Sequence, residues 1–282
     1  MSIENKLNTV DNIETNINNV LTIKTVQIAP FRILMTALKD ILLDTNIIFT
    51  KDGIRIINMD KTHTILVHLA LKATNFEFYE CKHDKIIIGV NMFHLFKLMN
   101  SIDNNDTLTM YVENEDYNDG VISYLGLKFE NGDIKQCKTQ KLRLIEPDTD
   151  ELEIPDVTFS TIINMPSTDF QKIVRDLAPL SDKLEIKTVA SEVIFRCAGS
   201  FATAEIRRTE SDGSMEFQLK PDEMKIIQGE FSLKNLGYFI KCTNLCNQIE
   251  VYLENDLPLV VKYHVASLGE IKLCLAPLPP SN

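Results

Sequence analysis

The second half of this chain echoes its first, and nothing else in the sequence limits the fold as tightly. Tyr111-Val112-Glu113-Asn114 returns as Tyr252-Leu253-Glu254-Asn255, 141 residues on. Leu38-Lys39-Asp40-Ile41 returns as Val174-Arg175-Asp176-Leu177, 136 on, and Phe96-Lys97-Leu98 returns as Ile240-Lys241-Cys242, 144 on. Each echo is short, but three in the same order at nearly the same offset point to two copies of one domain of about 120 residues. At 282 residues the chain has room for two such domains, each able to bury its own core.

Within each copy the pattern reads helix, strands, helix, strands. A helical stripe over 30–42 places apolar residues at 31, 34, 35, 38, 41 and 42. Strands follow at 47–49, 54–58 and 64–71, with a turn at Lys51-Asp52-Gly53; a second helix over 91–100 leads into strands at 107–113 and 121–129. In the second copy Ser167 stands as an N-cap, with Asp169 in the first turn of a helix over 168–177. A last helix covers 233–242 and the closing strands 249–254, 259–264 and 270–275. Four helices among many short strands make an α+β pattern of two similar domains, each with two helices packed on antiparallel sheets.

The expected limits are a polar, poorly ordered extension over 1–20, a first domain over 21–135, a connector over 136–156, a second domain over 157–278 and a tail over 279–282. The connector carries Pro147, Pro155 and the acidic run Asp148-Thr149-Asp150-Glu151.

No apolar run is long enough to cross a bilayer, so no membrane partner is expected, and the start shows no hydrophobic signal core. Six scattered cysteines fit reduced thiols rather than a disulfide framework. The net charge of −11 argues by itself against a nucleic-acid partner, but the charge is segregated. The four helices carry Arg32, Lys39, Lys97, Lys172, Arg175, Lys234 and Lys241 against Asp40, Asp169 and Asp176, a net +4, which leaves −15 for the rest. Basic residues on one solvated helix face are ordinary; four basic helices in an acidic chain describe a surface that meets phosphates by charge. No aromatic interleaving is evident on these faces, so base stacking is not expected. Cys242 and Cys246 lack further Cys or His nearby for a zinc set, and Asp60 and His63 lack a nucleophile elbow, so neither a metal, a cofactor nor a catalytic site is read here.

Gly53-Ile54-Arg55-Ile56-Ile57-Asn58-Met59-Asp60-Lys61-Thr62-His63 with Val67-His68-Leu69 resembles the matching segment of the proliferating cell nuclear antigen family, the eukaryotic-type DNA sliding clamps. So do Ile88-Gly89-Val90-Asn91, Met165-Pro166-Ser167 with Arg175-Asp176-Leu177, Pro258-Leu259-Val260-Val261 with Tyr263, and Leu275-Ala276-Pro277; the likeness runs over about 25–278. The resemblance implies a non-catalytic ring, usually a homotrimer, whose helices line a channel around duplex DNA. Such a ring tethers DNA polymerase and other replication and repair proteins after a clamp loader opens it, in the nucleus or in a virus's replication compartment. It places the seven basic residues on the channel lining, with Ile33 and Asn100 where a second basic residue is common. It places a partner-peptide groove at Met59, His63, Leu152, Ile154, Pro258, Cys274, Ala276 and Pro277, with Cys274 in place of a common aromatic. The loop whose lysine is modified in some relatives falls near Ala190. Subunits are expected to join through edge strands at 121–129 of one copy and 200–208 of the next. A subunit of a mixed trimer, and a scaffold that kept the groove without binding DNA, stand as the alternatives.

Overall fold

The computed structural model describes residues 18–148, 152, 154, 156–211, 213–221 and 225–279. Most of the expected N-terminal extension, the end of the expected tail and part of the connector lie outside these residues.

The first copy runs β1 (Asn19–Thr25), α1 (Ile28–Ile41), β2 (Asp44–Thr50), β3 (Gly53–Met59), β4 (Ile65–Lys72), β5 (Phe78–Cys81), β6 (Lys85–Asn91), α2 (Met92–Met99), β7 (Thr107–Glu113), the two-residue strands β8 (Tyr117–Asn118) and β9 (Val121–Ile122), β10 (Tyr124–Asn131) and β11 (Gln136–Arg143). The second runs β12 (Thr161–Pro166), α3 (Ser167–Leu177), β13 (Lys183–Val189), β14 (Glu192–Ala198), β15 (Thr203–Thr209), β16 (Glu216–Leu219), β17 (Ile227–Ser232), α4 (Leu233–Phe239) continued by a 3₁₀ segment (Ile240–Leu245), β18 (Gln248–Leu253), β19 (Leu259–Val265) and β20 (Gly269–Leu275).

The echo in sequence is an echo in topology. Strands of the first copy neighbour one another in the order β11-β10-β7-β1-β5, and those of the second in the order β20-β19-β18-β12-β16. The remaining strands repeat as β4-β3-β2-β6 and β15-β14-β13-β17. The three sequence echoes fall on corresponding elements: β7 and β18, α1 and α3, α2 and the 3₁₀ segment that prolongs α4. The fold is α+β, of two similar domains built on antiparallel sheets.

By contacts the chain divides into two compact units. One holds residues up to 35, 44–56 and 70–150; the other holds 36–43, 57–69 and 151 onward, so α1, β3 and β4 contribute residues to both. In the first unit the core gathers Leu21, Ile23, Leu34, Phe49, Val90, Leu108, Val112 and Leu127; in the second, Phe170, Leu184, Phe195, Phe231, Phe239, Val261, Tyr263 and Leu273. Burying each such side chain contributes about 1.5–3 kcal/mol, which is what holds the alternating strands in register.

Several expectations are corrected. β1 is a strand that no expectation named: it starts in the last two residues read as polar extension, Asn19 and Val20, pairs with β5 and β7 and buries Val20, Leu21 and Ile23. The first part of the expected connector, 136–143, is β11, paired residue for residue with β10 from Tyr124↔Arg143 to Asn131↔Gln136. Its alternation of exposed and half-buried positions suits a strand with one face in water, which hides it from a search for apolar runs. As a consequence β10, expected at a sheet edge, lies between β11 and β7, and β11 is the edge. Ser167 does not cap α3: it is the first helical residue, and its hydroxyl donates to Cys246 O at 2.7 Å. The last helix tightens after Phe239, so Lys241 sits on the 3₁₀ turn.

Candidate nucleic-acid interface and peptide groove

All seven predicted basic residues lie on helical turns, and the same physics puts each there. In α1 the buried set Ile28, Phe31, Leu34, Met35, Leu38 and Ile41 follows helical spacing, leaving Arg32 and Lys39, seven residues apart, off the core stripe. Arg32 Nη1 donates to Ile102 O and Asn104 Oδ1, both at 3.0 Å, which fixes its side chain against the loop after α2.

In the second unit Lys39 Nζ lies 2.9 Å from Asp40 Oδ1, and Lys241 Nζ donates to Asp40 Oδ2 at 2.5 Å. Burial works to raise the Asp40 pKa, but its bonds to Lys241 and Lys39 outweigh that and hold it below the usual carboxylate range. On α3, Lys172 and Arg175 are exposed, while Asp169 is drawn away by Arg208 at 3.0 Å. Gln171 Nε2 donates to Ile240 O at 3.3 Å, tying α3 to the turn that carries Lys241. Lys234, behind the Ser232 N-cap of α4, is exposed.

α2 is opened by Asn91, whose side chain accepts from His94 N. Its Lys97 is exposed, with the ammonium 4.5 Å above the ring of Phe93. Phe93 is 44% exposed and stacks with Phe96, ring centres 6.4 Å apart. Lys241 stands likewise over Tyr238, at 5.4 Å. The expectation of faces without aromatics is therefore wrong. The signal was present as Phe93–Lys97 at i,i+4 and Tyr238–Lys241 at i,i+3, spacings that put a ring under an ammonium on a helix surface.

The residues expected to form a peptide groove belong to the second unit, and most of them gather at one end of a sheet. Val260 pairs with Cys274 and Leu259 with Leu275, so Pro258 leads into one strand where Ala276 and Pro277 leave the other. Ala276 N–H donates to Thr64 O at 2.9 Å, bringing this end against the loop that bears His63. That loop is shaped by Asp60: its carboxylate accepts from the backbone N–H of Thr62 at 3.2 Å, Thr64 at 2.8 Å and Ile65 at 2.7 Å, and from the Thr62 hydroxyl. Burial works to raise the Asp60 pKa, but these hydrogen bonds outweigh it, for a net depression. Thus Asp60 serves the turn and His63, exposed at φ 54°, rides on its tip. Asn235 Nδ2 donates to Thr64 Oγ1 at 3.3 Å, and Leu278 N–H to Glu230 O at 2.7 Å, which pins the segment after Pro277. Met59, Cys274, Ala276 and Pro277 are half-buried and Pro258 is exposed. Burial lifts the Cys274 thiol to about 11. Leu152 and Ile154 are 38% and 39% exposed, and the pairings just described do not include them. Ala190 is exposed in the tight turn between β13 and β14 at φ 51°. Among the described residues no group of three or more His, Cys, Asp or Glu side chains could hold a metal ion, and no helix is long and apolar enough to cross a membrane.

Family models match both halves: the proliferating cell nuclear antigen N-terminal domain over residues 20–151 and its C-terminal domain over 153–278. A relative named "Probable DNA polymerase sliding clamp 1", from Paramecium bursaria Chlorella virus 1, is 33% identical over 93% of this chain and 98% of its own length. Another, named "Probable DNA polymerase sliding clamp", from Acanthamoeba polyphaga mimivirus, is 33% identical over 82% of this chain, which spans about half of that protein (48%). With twin domains of one strand order and models matching nearly end to end, the chain belongs to the proliferating cell nuclear antigen family.

Proposed function

We infer that this protein is the subunit of a DNA sliding clamp, a processivity factor without catalysis of its own. Copies close into a ring, a homotrimer, around duplex DNA; the ring holds a polymerase and other replication and repair proteins on the template. The observation that supports this most is that every one of the seven basic residues expected to meet phosphate lies on a helical turn, while the chain as a whole carries −11. Contacts of this kind read charge and not sequence, and a closed ring keeps hold by enclosure, so weak, salt-screened contacts suffice and sliding stays fast.

Two free sheet edges suit the joints. β11 ends one sheet and β15 another, and pairing β11 of one copy with β15 of the next would satisfy both rows of backbone groups. The connector then begins after Arg143 and runs to about 156, between domains ending and starting there. Partners carrying a short apolar motif dock where Met59, His63, Pro258, Cys274, Ala276 and Pro277 meet the connector's Leu152 and Ile154. A clamp loader opens the ring, and the place of work is wherever the cognate polymerase copies DNA: the nucleus or a viral replication compartment.

The test is light scattering at micromolar concentration together with loader-dependent retention on nicked circular duplex. A threefold mass and retention that is lost when the circle is cut are expected. A monomer that never stays on the circle would sink the reading.

A further inference from the structure

The seven cations are not equally available. Lys39 and Lys241 come from α1 and from the turn after α4, and they converge on one carboxylate: Asp40 Oδ1 is 2.9 Å from Lys39 Nζ, and Oδ2 is 2.5 Å from Lys241 Nζ. A singly charged, two-oxygen acceptor bridging two ammonium groups is the arrangement a phosphodiester makes when two lysines share it. The carboxylate is part of the chain, so its local concentration is fixed and no salt dilutes it. Asp40 is partly open, its side chain 28% exposed, so it can turn aside without unpacking the core stripe of α1.

We propose that Asp40 occupies the place of a DNA backbone phosphate between Lys39 and Lys241, and that duplex DNA must exchange with it to engage these two lysines. The proposal rests on the DNA-binding reading above and adds a regulating residue to it. The exchange swaps one anion for another at the same two ammonium groups. The net gain is small by design, the contact is brief, and the duplex passes these lysines without being held. Elsewhere on the same unit the geometry differs: Asp169 is turned onto Arg208, leaving Lys172 and Arg175 without that brake from it.

The experiment measures duplex binding by full-length protein with fluorescence anisotropy across a salt series. Asp40→Asn keeps the shape and removes the competing charge. It is expected to bind at least about threefold more tightly at low salt, with log K against log salt steeper by about 0.9, one more phosphate neutralised. Asp256→Asn makes the same change in net charge at the exposed turn between β18 and β19, and is expected to match the parent. Equal tightening by both variants, or no change with Asp40→Asn, overturns the proposal. The double variant Lys39→Gln/Lys241→Gln separates the two levels. If it weakens binding while Asp40→Asn changes nothing, the brake is wrong and the DNA-binding surface stands. If it too leaves binding untouched, the surface assignment fails at these residues. Should Asp40→Asn fold poorly, the ¹³C carboxyl signal of Asp40 in the parent protein decides: it must move on titration with duplex DNA, and a signal that stays put overturns the exchange.

Discussion

The ammonium of Lys97 stands 4.5 Å above the ring of Phe93, one helical turn earlier on α2, while Phe93 itself is 44% exposed. A large apolar ring at a solvent-facing position needs a reason, and here the ring restricts a long, otherwise mobile side chain. A cation over an aromatic face at an exposed site is worth about 0.5–1 kcal/mol. Phe93→Leu removes the face and keeps the bulk. It should weaken duplex binding by a factor of about two to five, and Phe93→Tyr should restore it. A salt series with equal loss in Phe93→Leu and Phe93→Tyr would show that the ring acts through packing alone.

Asp60 organises the loop that carries His63 through backbone bonds from Thr62, Thr64 and Ile65. Bonds to an ionised acceptor are worth about 1.5–3 kcal/mol each when broken one-sidedly, less where water can substitute, so Asp60→Ala should cost about 2 kcal/mol. The folded pKa is depressed, so this stabilisation is fully present above the unfolded carboxylate value, about 3.9, and is lost as pH falls through the folded value. Chemical denaturation should therefore show a gap between parent and Asp60→Asn at pH 7 that narrows as pH falls below the unfolded carboxylate value of about 3.9. A gap that stays constant down to pH 2 would contradict the assignment. Because Thr64 O also accepts from Ala276 N–H, peptide binding should fall alongside stability.

What could be read in the sequence followed from periodicity and repetition. The stripe of α1 and the echo between β7 and β18 are local patterns imposed by burial, and together they mark two domains. β1 escaped because its neighbours upstream are polar, yet the repeat contained the answer: β12 precedes α3, so a strand should precede α1. β11 escaped for another reason. Its partner is β10, and an edge strand with Lys141 and Arg143 on its exposed side looks like a linker until the pairing is seen. The basic residues were visible as types, and their helical placement followed. Which of them meets a carboxylate was not, because Lys241 and Asp40 are 201 residues apart and only the fold brings them together. Likewise the sequence excluded a catalytic role for Asp60 but did not show what it does, because its partners are the backbone N–H groups of Thr62, Thr64 and Ile65.

The start of the connector depends on a glycine. Ile145 N–H donates to Gly89 O at 3.0 Å, and a Cβ at position 89 would lie 2.6 Å from Ile145 O and 2.9 Å from Glu146 O. Both are backbone atoms and cannot swing aside. Asn46 then secures the next turn, its side chain donating to Asp148 O at 2.7 Å and accepting from Asp148 N–H at 3.0 Å. Gly89→Ala should push the two segments apart and cost about 1–3 kcal/mol, as overpacking does. Limited proteolysis should then cut after 143 sooner than in the parent, with the Asn46→Ala variant showing the same site at a smaller rate gain. Unchanged cleavage in Gly89→Ala would mean that the bridge does not order the connector.

The thiols offer a test of the proposed joint between copies. Cys137 is exposed on the edge strand β11, whereas Cys81, Cys197 and Cys242 are buried. Burial lifts Cys242 to about 12 and Cys274 to about 11, so at pH 7.5 the thiolate, which is the reactive form, is scarce at both. A dilute sample treated with a bulky maleimide should show one fast thiol, Cys137, and Cys274 should join it only as pH climbs toward 11. If β11 is the surface that meets β15 of another copy, the Cys137 rate should fall as protein concentration rises through the range where mass increases. A Cys137→Ser variant should remove the fast phase entirely. A Cys137 rate that is independent of concentration while the mass triples would place the joint on some other edge.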